Sequence, residues 1–390
     1  MPVVGTALRM QRRTHPPRAD WRRKVESVGL AWHSAAGPYW NEEAHYAFSA
    51  AEVDAIEGAT NALHAMCLEA AQHVIAHRQY DRLAIPPAVV PLIEASWAQE
   101  PPSLYGRFDL AYDGMGPPKL LEYNADTPTS LVEASLAQWF WLQDTHPQLD
   151  QFNALHERLI AHWRHLAPHL QGDVLHFVGM DDLEDGVTLA YLRDTAEQAG
   201  IRCATLPIRR IGLTGDGFFT DLDDRVLESV FKLYPWEWLV AEDPRFVEAL
   251  LGLGTRMQWL EPAWKLLLSN KGILAVLWEL FPGHPNLLPA TLDASEVLTW
   301  DAYVTKPLLS REGANVTVTL FDQVLLRTRG DYGAEGVVHQ ALATIPRFDD
   351  RYPVIGSWII GDAAAGMGIR ESRQVVTDNL SQFVPHVIEG

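Results

Sequence analysis

The chain has only two cysteines, Cys67 and Cys203, among 390 residues. That is too few for a disulfide framework, so the sequence points to a reducing, cytoplasmic setting. It has no long apolar run either. The nearest candidate, Ile273 to Phe281, is interrupted by Glu279 and falls well short of the roughly eighteen residues a membrane helix needs. The start, Met1-Pro2-Val3-Val4-Gly5 followed by Arg9, Arg12 and Arg13, offers neither an apolar stretch nor a small-residue cleavage site, which argues against a signal peptide. Positive charge is also scarce: 31 Lys and Arg stand against 50 Asp and Glu, a formal net charge of −19. An acidic surface repels phosphate backbones and excludes nucleic acid as a partner. It would attract a cation such as a polyamine, although solubility is the commoner reason for such acidity. The G-x-G-x-x-G turn and the G-x-x-x-x-G-K-[ST] loop are both missing, so a dinucleotide fold or a P-loop is not expected. No repeat or low-complexity tract occurs.

The composition, 47% hydrophobic and 21% charged, is that of a folded protein with a large core. From Ala50 to His77, Val53, Ile56, Leu63, Cys67, Ala70 and Val74 recur at helical spacing, with Ser49 and Glu52 as a capping box ahead of them. Two strands are expected at Gly106–Asp113 and Pro118–Asn124, joined by the turn Gly114-Met115-Gly116-Pro117. A second helix should start near Thr127-Pro128, with Ser130 and Glu133 as another box. Farther on, Val174–Val178, Thr188–Gly200 and Cys203–Ile208 read as strand, helix and strand. A turn at Gly215-Asp216-Gly217 and a strand at Ser229–Tyr234 follow. This is a small Rossmann-like unit.

The richest chemistry lies in Arg107-Phe-Asp109 and Glu122-Tyr-Asn124-Ala-Asp126-Thr127-Pro-Thr129-Ser130. Alternation along a strand puts Arg107 with Asp109, and Glu122 with Asn124, on one face each. If the strands pair, a guanidinium, two carboxylates and an amide oxygen converge. Oxygen ligands of this kind suit magnesium, and the arginine suits a transferring phosphoryl group. The spacing fits a solvated strand face with an Arg–Asp ion pair equally well. Lys271, expected at a helix start, and Lys306, at the end of a β-branched strand, could hold phosphates. So could the polar loop Ser310–Val316. A lone strand lysine is more commonly a surface residue. His73 with His77, and His165 with His169 near His162, have zinc-compatible helical spacing but no evident third ligand. The fourteen tryptophans suit core packing before any cation groove.

Taken in order, Gly106–Glu133, Glu261-Pro262-x-Trp264 with Asn270-Lys271, Lys306-Pro307 with its loop, and Gly366-x-Gly368-Ile369-Arg370-Glu371-Ser372 resemble the glutathionylspermidine synthase family. The likeness runs from about residue 20 to Ile388. It is nearest to stand-alone synthetase-like members, because a preceding amidase domain exceeds this chain's length. The resemblance implies a mixed α/β fold: a permuted ATP-grasp core with antiparallel sheets and a Rossmann-like pre-ATP-grasp insertion. It divides the chain into residues 1–151 (helical region and metal-binding part of the core), 152–255 (the insertion), 256–312 (the lid) and 313–390 (the rest of the core).

By the same resemblance, Arg107 and Arg370 contact the phosphate in flight, and Asp109, Glu122 and Asn124 hold Mg2+ with Glu312 as an extra ligand. Lys271, Lys306, Gly313 and Gln340 hold ATP. Thr127 and Thr129 lie near the acyl substrate, and Arg311 binds its carboxylate. The reaction implied is ATP-dependent amide formation between a peptide-like carboxylate and an amine or polyamine. A ligase using another amine, a kinase-like phosphotransferase and a nucleotide-binding module without catalysis remain as alternatives. Substrate identity and oligomeric state are not legible.

Overall fold

Ser49 and Glu52 form the reciprocal box read from the sequence. The Glu52 backbone N–H donates to Ser49 Oγ at 3.3 Å, and the Ser49 N–H donates to the Glu52 carboxylate at 2.9 Å. They cap helix α2 (Ala50–Ala76), which is preceded by the short α1 (Trp21–Ser27). Val53, Ile56, Leu63, Cys67, Ala70 and Val74 are all buried, each large aliphatic side chain contributing about 1.5–3 kcal/mol. This apolar stripe lies beneath the central sheet. The computed structural model describes residues 10–34, 37–242, 248–251, 257–378 and 380–389. The chain start read for a leader and the boundary at 255/256 lie outside the described residues.

Strands are numbered β1 to β19 along the chain. The central sheet has the order β18 (Gln382–Val384), β17 (Ala363–Ser372), β16 (Tyr352–Ile360), β3 (Tyr105–Ala111) and β4 (Lys119–Asn124). Every neighbouring pair in it is antiparallel. A second antiparallel sheet has the order β11 (Ala290–Thr291), β15 (Val337–Ala341), β12 (Ala302–Pro307), β13 (Thr317–Leu320) and β14 (Gln323–Arg327). Between these sheets in sequence comes a parallel one: β10 (Gln258–Leu260), β9 (Ser229–Leu233), β5 (Leu175–Gly179) and β6 (Cys203–Pro207). A hairpin of β7 (Gly212–Leu213) and β8 (Phe219–Thr220) holds the Gly215–Gly217 turn. Near the chain ends, β1 (Gln11–Thr14), β2 (Ala44–Ser49) and β19 (His386–Glu389) form a small sheet. The mixed α/β architecture with antiparallel sheets and a small parallel unit is thus the one present.

Helix α3 (Val90–Ala98) carries Pro91 in its first turn, and α4 (Gln138–Thr145) and α5 (Leu155–Leu166) precede the parallel sheet. Helix α6 (Leu183–Gln198) begins five residues before the expected Thr188, because Asp182 accepts the Asp185 N–H at 3.0 Å and caps it there. Ser130 and Glu133 do not form the second box. Ser130 takes a positive φ of 68°, and Glu133 instead accepts the Tyr39 hydroxyl at 2.8 Å. Helix α7 (Trp236–Glu242) follows β9. Trp40, Trp141, Trp163, Trp236 and Trp358 are fully buried core residues. No helix among the described residues is long and apolar enough to cross a membrane.

Candidate active site

Strands β3 and β4 pair with Arg107 opposite Asn124 and Asp109 opposite Glu122, so these four side chains share one face. Arg107 is 4% exposed and Asp109 2%, so the expected Arg–Asp ion pair is present but buried, while Glu122 and Asn124 are half-buried. Arg107 Nε and Nη2 donate to the two Asp109 oxygens at 2.7 and 3.2 Å, and Nη1 donates to the Thr129 carbonyl at 2.5 Å. From β17, Arg370 Nη2 donates to Asp109 Oδ2 as well. Gly356 on the intervening β16 gives Arg107 its room, since a Cβ there would stand 2.9 Å from Arg107 Cδ.

Beside this cluster, Glu122 accepts from Lys271 Nζ at 3.1 Å and from Asn124 Nδ2 at 3.2 Å. Lys271 lies between the short helices Lys265–Ser269 and Ile273–Leu280, and its Nζ also donates to the Ser310 carbonyl at 2.5 Å. Lys306 reaches in from β12 and donates to Gln340 Oε1 and to the Leu121 carbonyl, both at 2.8 Å. Gln340, on the adjacent β15, donates in turn to the Leu120 carbonyl at 2.9 Å. Burial pushes the Glu122 carboxyl up, but Lys271 and Lys306 outweigh it and hold the group well below the usual carboxylate range. Burial pushes Lys306 down to about 8 against the pull of Glu122.

Asp109, Glu122, Lys271, Lys306, Gly313 and Gln340 line a single cleft between the two antiparallel sheets, together with apolar residues such as Val304 and Val318. Gly313 has φ +66°, and a Cβ on it would meet the Thr377 carbonyl oxygen at 2.3 Å. A second cavity of about 670 Å³ is lined by Arg370, which contacts Asp109 of the cleft, and by Thr129, Ser130, Glu184 and Glu312 with Arg351 and Arg373. Glu312 therefore faces this second cavity. Thr127 and Arg311 form a separate contact, in which Arg311 Nη1 donates to Thr127 Oγ1 at 3.1 Å and Nη2 to Glu237 Oε1 at 2.7 Å.

For magnesium, the fit rests on donor chemistry. Asp109, Glu122 and Asn124 present hard oxygens on neighbouring strands, as that ion prefers. Their carboxylates are engaged by Arg107, Arg370 and Lys271, so a metal would bind by displacing these cations. Among the described residues no group of three or more His, Cys, Asp or Glu is placed to hold a metal ion, and this includes the helical histidine pairs.

The sequence reading passed over Glu184 and Glu237. Burial, followed by the charges of Glu133, Asp185 and Glu312, pushes Glu184 up to about 7. Its available signal was the acidic run Asp182-Leu-Glu184-Asp185 ahead of α6. Glu237 carried no local signal, because its partner Arg311 is distant in sequence.

The chain is 42% identical over 387 residues to a Haemophilus influenzae protein whose name describes an acid–amine ligase, covering 95% of this chain and 97% of that one. A trypanothione synthetase of Crithidia fasciculata is 29% identical over 349 residues, covering 82% of this chain and 53% of the relative. The bifunctional glutathionylspermidine synthetase/amidase of Escherichia coli is 25% identical over 399 residues, covering 94% and 63%. The chain thus spans nearly the whole of the first relative and less than two thirds of the other two. The model of the glutathionylspermidine synthase preATP-grasp family matches residues 12–389, and the chain belongs to that family.

Proposed function

We propose that the protein is an ATP-dependent acid–amine ligase that uses magnesium and works through an acylphosphate. The observation that carries this reading is the contact of Arg370, which lines one compartment, with Asp109, which lines the other. On one side is the cleft with Lys271, Lys306 and Gln340; on the other is the cavity with Thr129, Glu184 and Glu312. A carboxylate is a poor electrophile. In the proposed reaction one of its oxygens attacks the γ-phosphorus of ATP, the bond to the bridging oxygen breaks, and ADP leaves. An amine then attacks the acyl carbon, the C–O bond to phosphate breaks, and the nitrogen gives up a proton.

In this reading Lys271 and Lys306 hold the ATP phosphates, and Gln340 and Gly313 line the nucleotide's place. Arg107 and Arg370 offset the charge that develops on the transferring phosphoryl group. Asp109, Glu122 and Asn124, with Glu312 from the other cavity, would hold magnesium, which supplies charge neutralisation at the phosphates. The second cavity is lined by both basic and acidic side chains, a feature that suits one carboxylate substrate and one amine. Arg351, Arg370 and Arg373 can orient an acid. Glu184 and Glu312 can draw an ammonium group, and a carboxyl poised near 7 can accept its proton. Thr127, Thr129 and Arg311 would border the acyl substrate. A peptide-like acid and a polyamine are the substrate classes we favour, by analogy with the relatives' names, for a cytoplasmic enzyme.

The test is ADP release over a panel of peptides and amines with magnesium, with products weighed by mass spectrometry. Amine-dependent ADP and a product equal to acid plus amine less water support the ligase. A stable phosphorylated product without amide indicates a kinase. Nucleotide binding with no ADP from any pair indicates a binding module.

A further inference from the structure

Strand β9 lies inside a parallel sheet, where strands are ordinarily apolar throughout. Lys232 nevertheless sits on it with no exposed side-chain surface. Its ammonium donates to the Asp126 carboxylate and to the Tyr234 carbonyl at 3.0 Å, and it lies 4.7 Å from the centre of the Trp236 ring. Asp126 accepts a further bond from the Trp236 N–H at 2.8 Å. Burial opposes both charges, pushing the Asp126 carboxyl up and the Lys232 ammonium down. Two apolar side chains would fill the same space without desolvating two ions. What the ion pair adds is a fixed geometry between two distant pieces of chain.

Those two pieces are the sides of the Arg311 cradle. Asp126 immediately precedes Thr127, which accepts from Arg311 Nη1 at 3.1 Å. Trp236 immediately precedes Glu237, whose Oε1 accepts from Arg311 Nη2 at 2.7 Å and Nε at 3.2 Å. The Arg311 guanidinium also lies 5.4 Å from the Trp238 ring centre. Three residues past Asp126, the Thr129 carbonyl accepts from Arg107. We propose that Asp126 and Lys232 are positioning residues that fix the Thr127–Thr129 turn against the start of α7, and so hold Arg311 and Arg107 in place for turnover. Only the last step of this, from geometry to turnover, rests on the ligase reading.

The test uses the double substitution D126L/K232M in the full chain, which removes both charges and leaves no ion unpaired. Amide hydrogen exchange is followed without added ligand. Exchange at residues 127–131 and 309–315 should rise by about tenfold or more while β3 and β17 keep their protection. Unchanged exchange in both segments of a folded variant overturns the proposal. If the double variant does not fold, Glu237→Gln decides, since it leaves the buried pair intact. It should loosen 309–315 alone; loosening of 127–131 as well would mean that Arg311, not Asp126, holds the turn, and overturns the proposal. In turnover, the double variant should lose about tenfold or more in kcat with KM for ATP held within about twofold. A parental kcat overturns the link to turnover. Lack of turnover in the parent protein counts against the ligase reading instead, and exchange then decides the positioning role by itself.

Discussion

Arg370 donates to the Asp109 carboxylate although β16 lies between the strands that carry them. Arg107 donates to the same carboxylate from within β3. Two guanidinium groups thus gather on one acidic residue at the junction of the two compartments. In the proposed reaction a phosphate would draw the arginines from Asp109, and a metal would displace them from it.

Removing that anchor should abolish chemistry before it harms the fold. Asp109→Asn and Glu122→Gln should each lower turnover by about a hundredfold or more, as loss of groups that organise phosphoryl transfer does. The central sheet owes its stability to apolar burial, so thermal unfolding of Glu122→Gln should change little. Steady-state ADP release and differential scanning calorimetry check the two halves. Full activity in Glu122→Gln would contradict its assignment.

Nucleotide affinity should depend on pH through Lys306. Burial leaves this ammonium with a pKa of about 8, so it is charged below that pH and neutral above it. The affinity of the ligand-free protein for MgATP should therefore weaken as pH rises past 8. Lys306→Arg stays charged throughout and should lose this fall. Calorimetric titrations from pH 7 to 9 distinguish the two.

Gly313 should tolerate no side chain. Its positive φ of 66° and the Thr377 carbonyl oxygen 2.3 Å from a built Cβ both forbid one. Gly313→Ala should shift the Ser310–Val316 loop and weaken MgATP binding by about tenfold, with overall folding retained. Parental affinity in this variant would remove Gly313 from the nucleotide's surroundings.

Acid should loosen the sheet that joins the chain ends. Burial, with His146, His15 and Arg13 nearby, lowers His45 on β2 to about 4, and burial lowers His386 on β19 to about 3. In the unfolded chain both take up protons near pH 6.5, so the unfolded state binds more protons below that value. Stability is then fully present above about pH 6.5 and lost as pH falls toward 4, with Tm dropping by roughly 5 °C or more between pH 7 and 5. His45→Phe should reduce the drop. Equal drops in parent and variant would clear His45 of the effect.

The strands of the site were legible because alternation alone puts Arg107 with Asp109 and Glu122 with Asn124 on their faces, and the glycine turn between them suits a hairpin, although their pairing was conditional until the structure showed it. The long α2 was legible for similar reasons, its periodicity and its capping box both being local. Lys306 was readable only as a lysine at a strand end that could hold phosphate, and Gln340 gave no local signal at all. Their contact arises from pairing of β12 with β15, and only the family resemblance singled out Gln340. Glu133 misled as a capping residue because its partner, Tyr39, is distant in sequence. The start of α6 was misplaced because the acidic first turn, Glu184 and Asp185, interrupts the apolar period. Lys232 did leave a mark: it is the one charged residue in the apolar strand Ser229–Leu233.

The central claim is that a carboxylate is activated by ATP and then taken by an amine. It is tested most directly by placing oxygen-18 in the carboxylate of an acyl substrate that supports amine-dependent ADP release. The account predicts that one labelled oxygen passes into inorganic phosphate for each amide formed. Amide formation with unlabelled phosphate would contradict it, because no acylphosphate would then lie on the path.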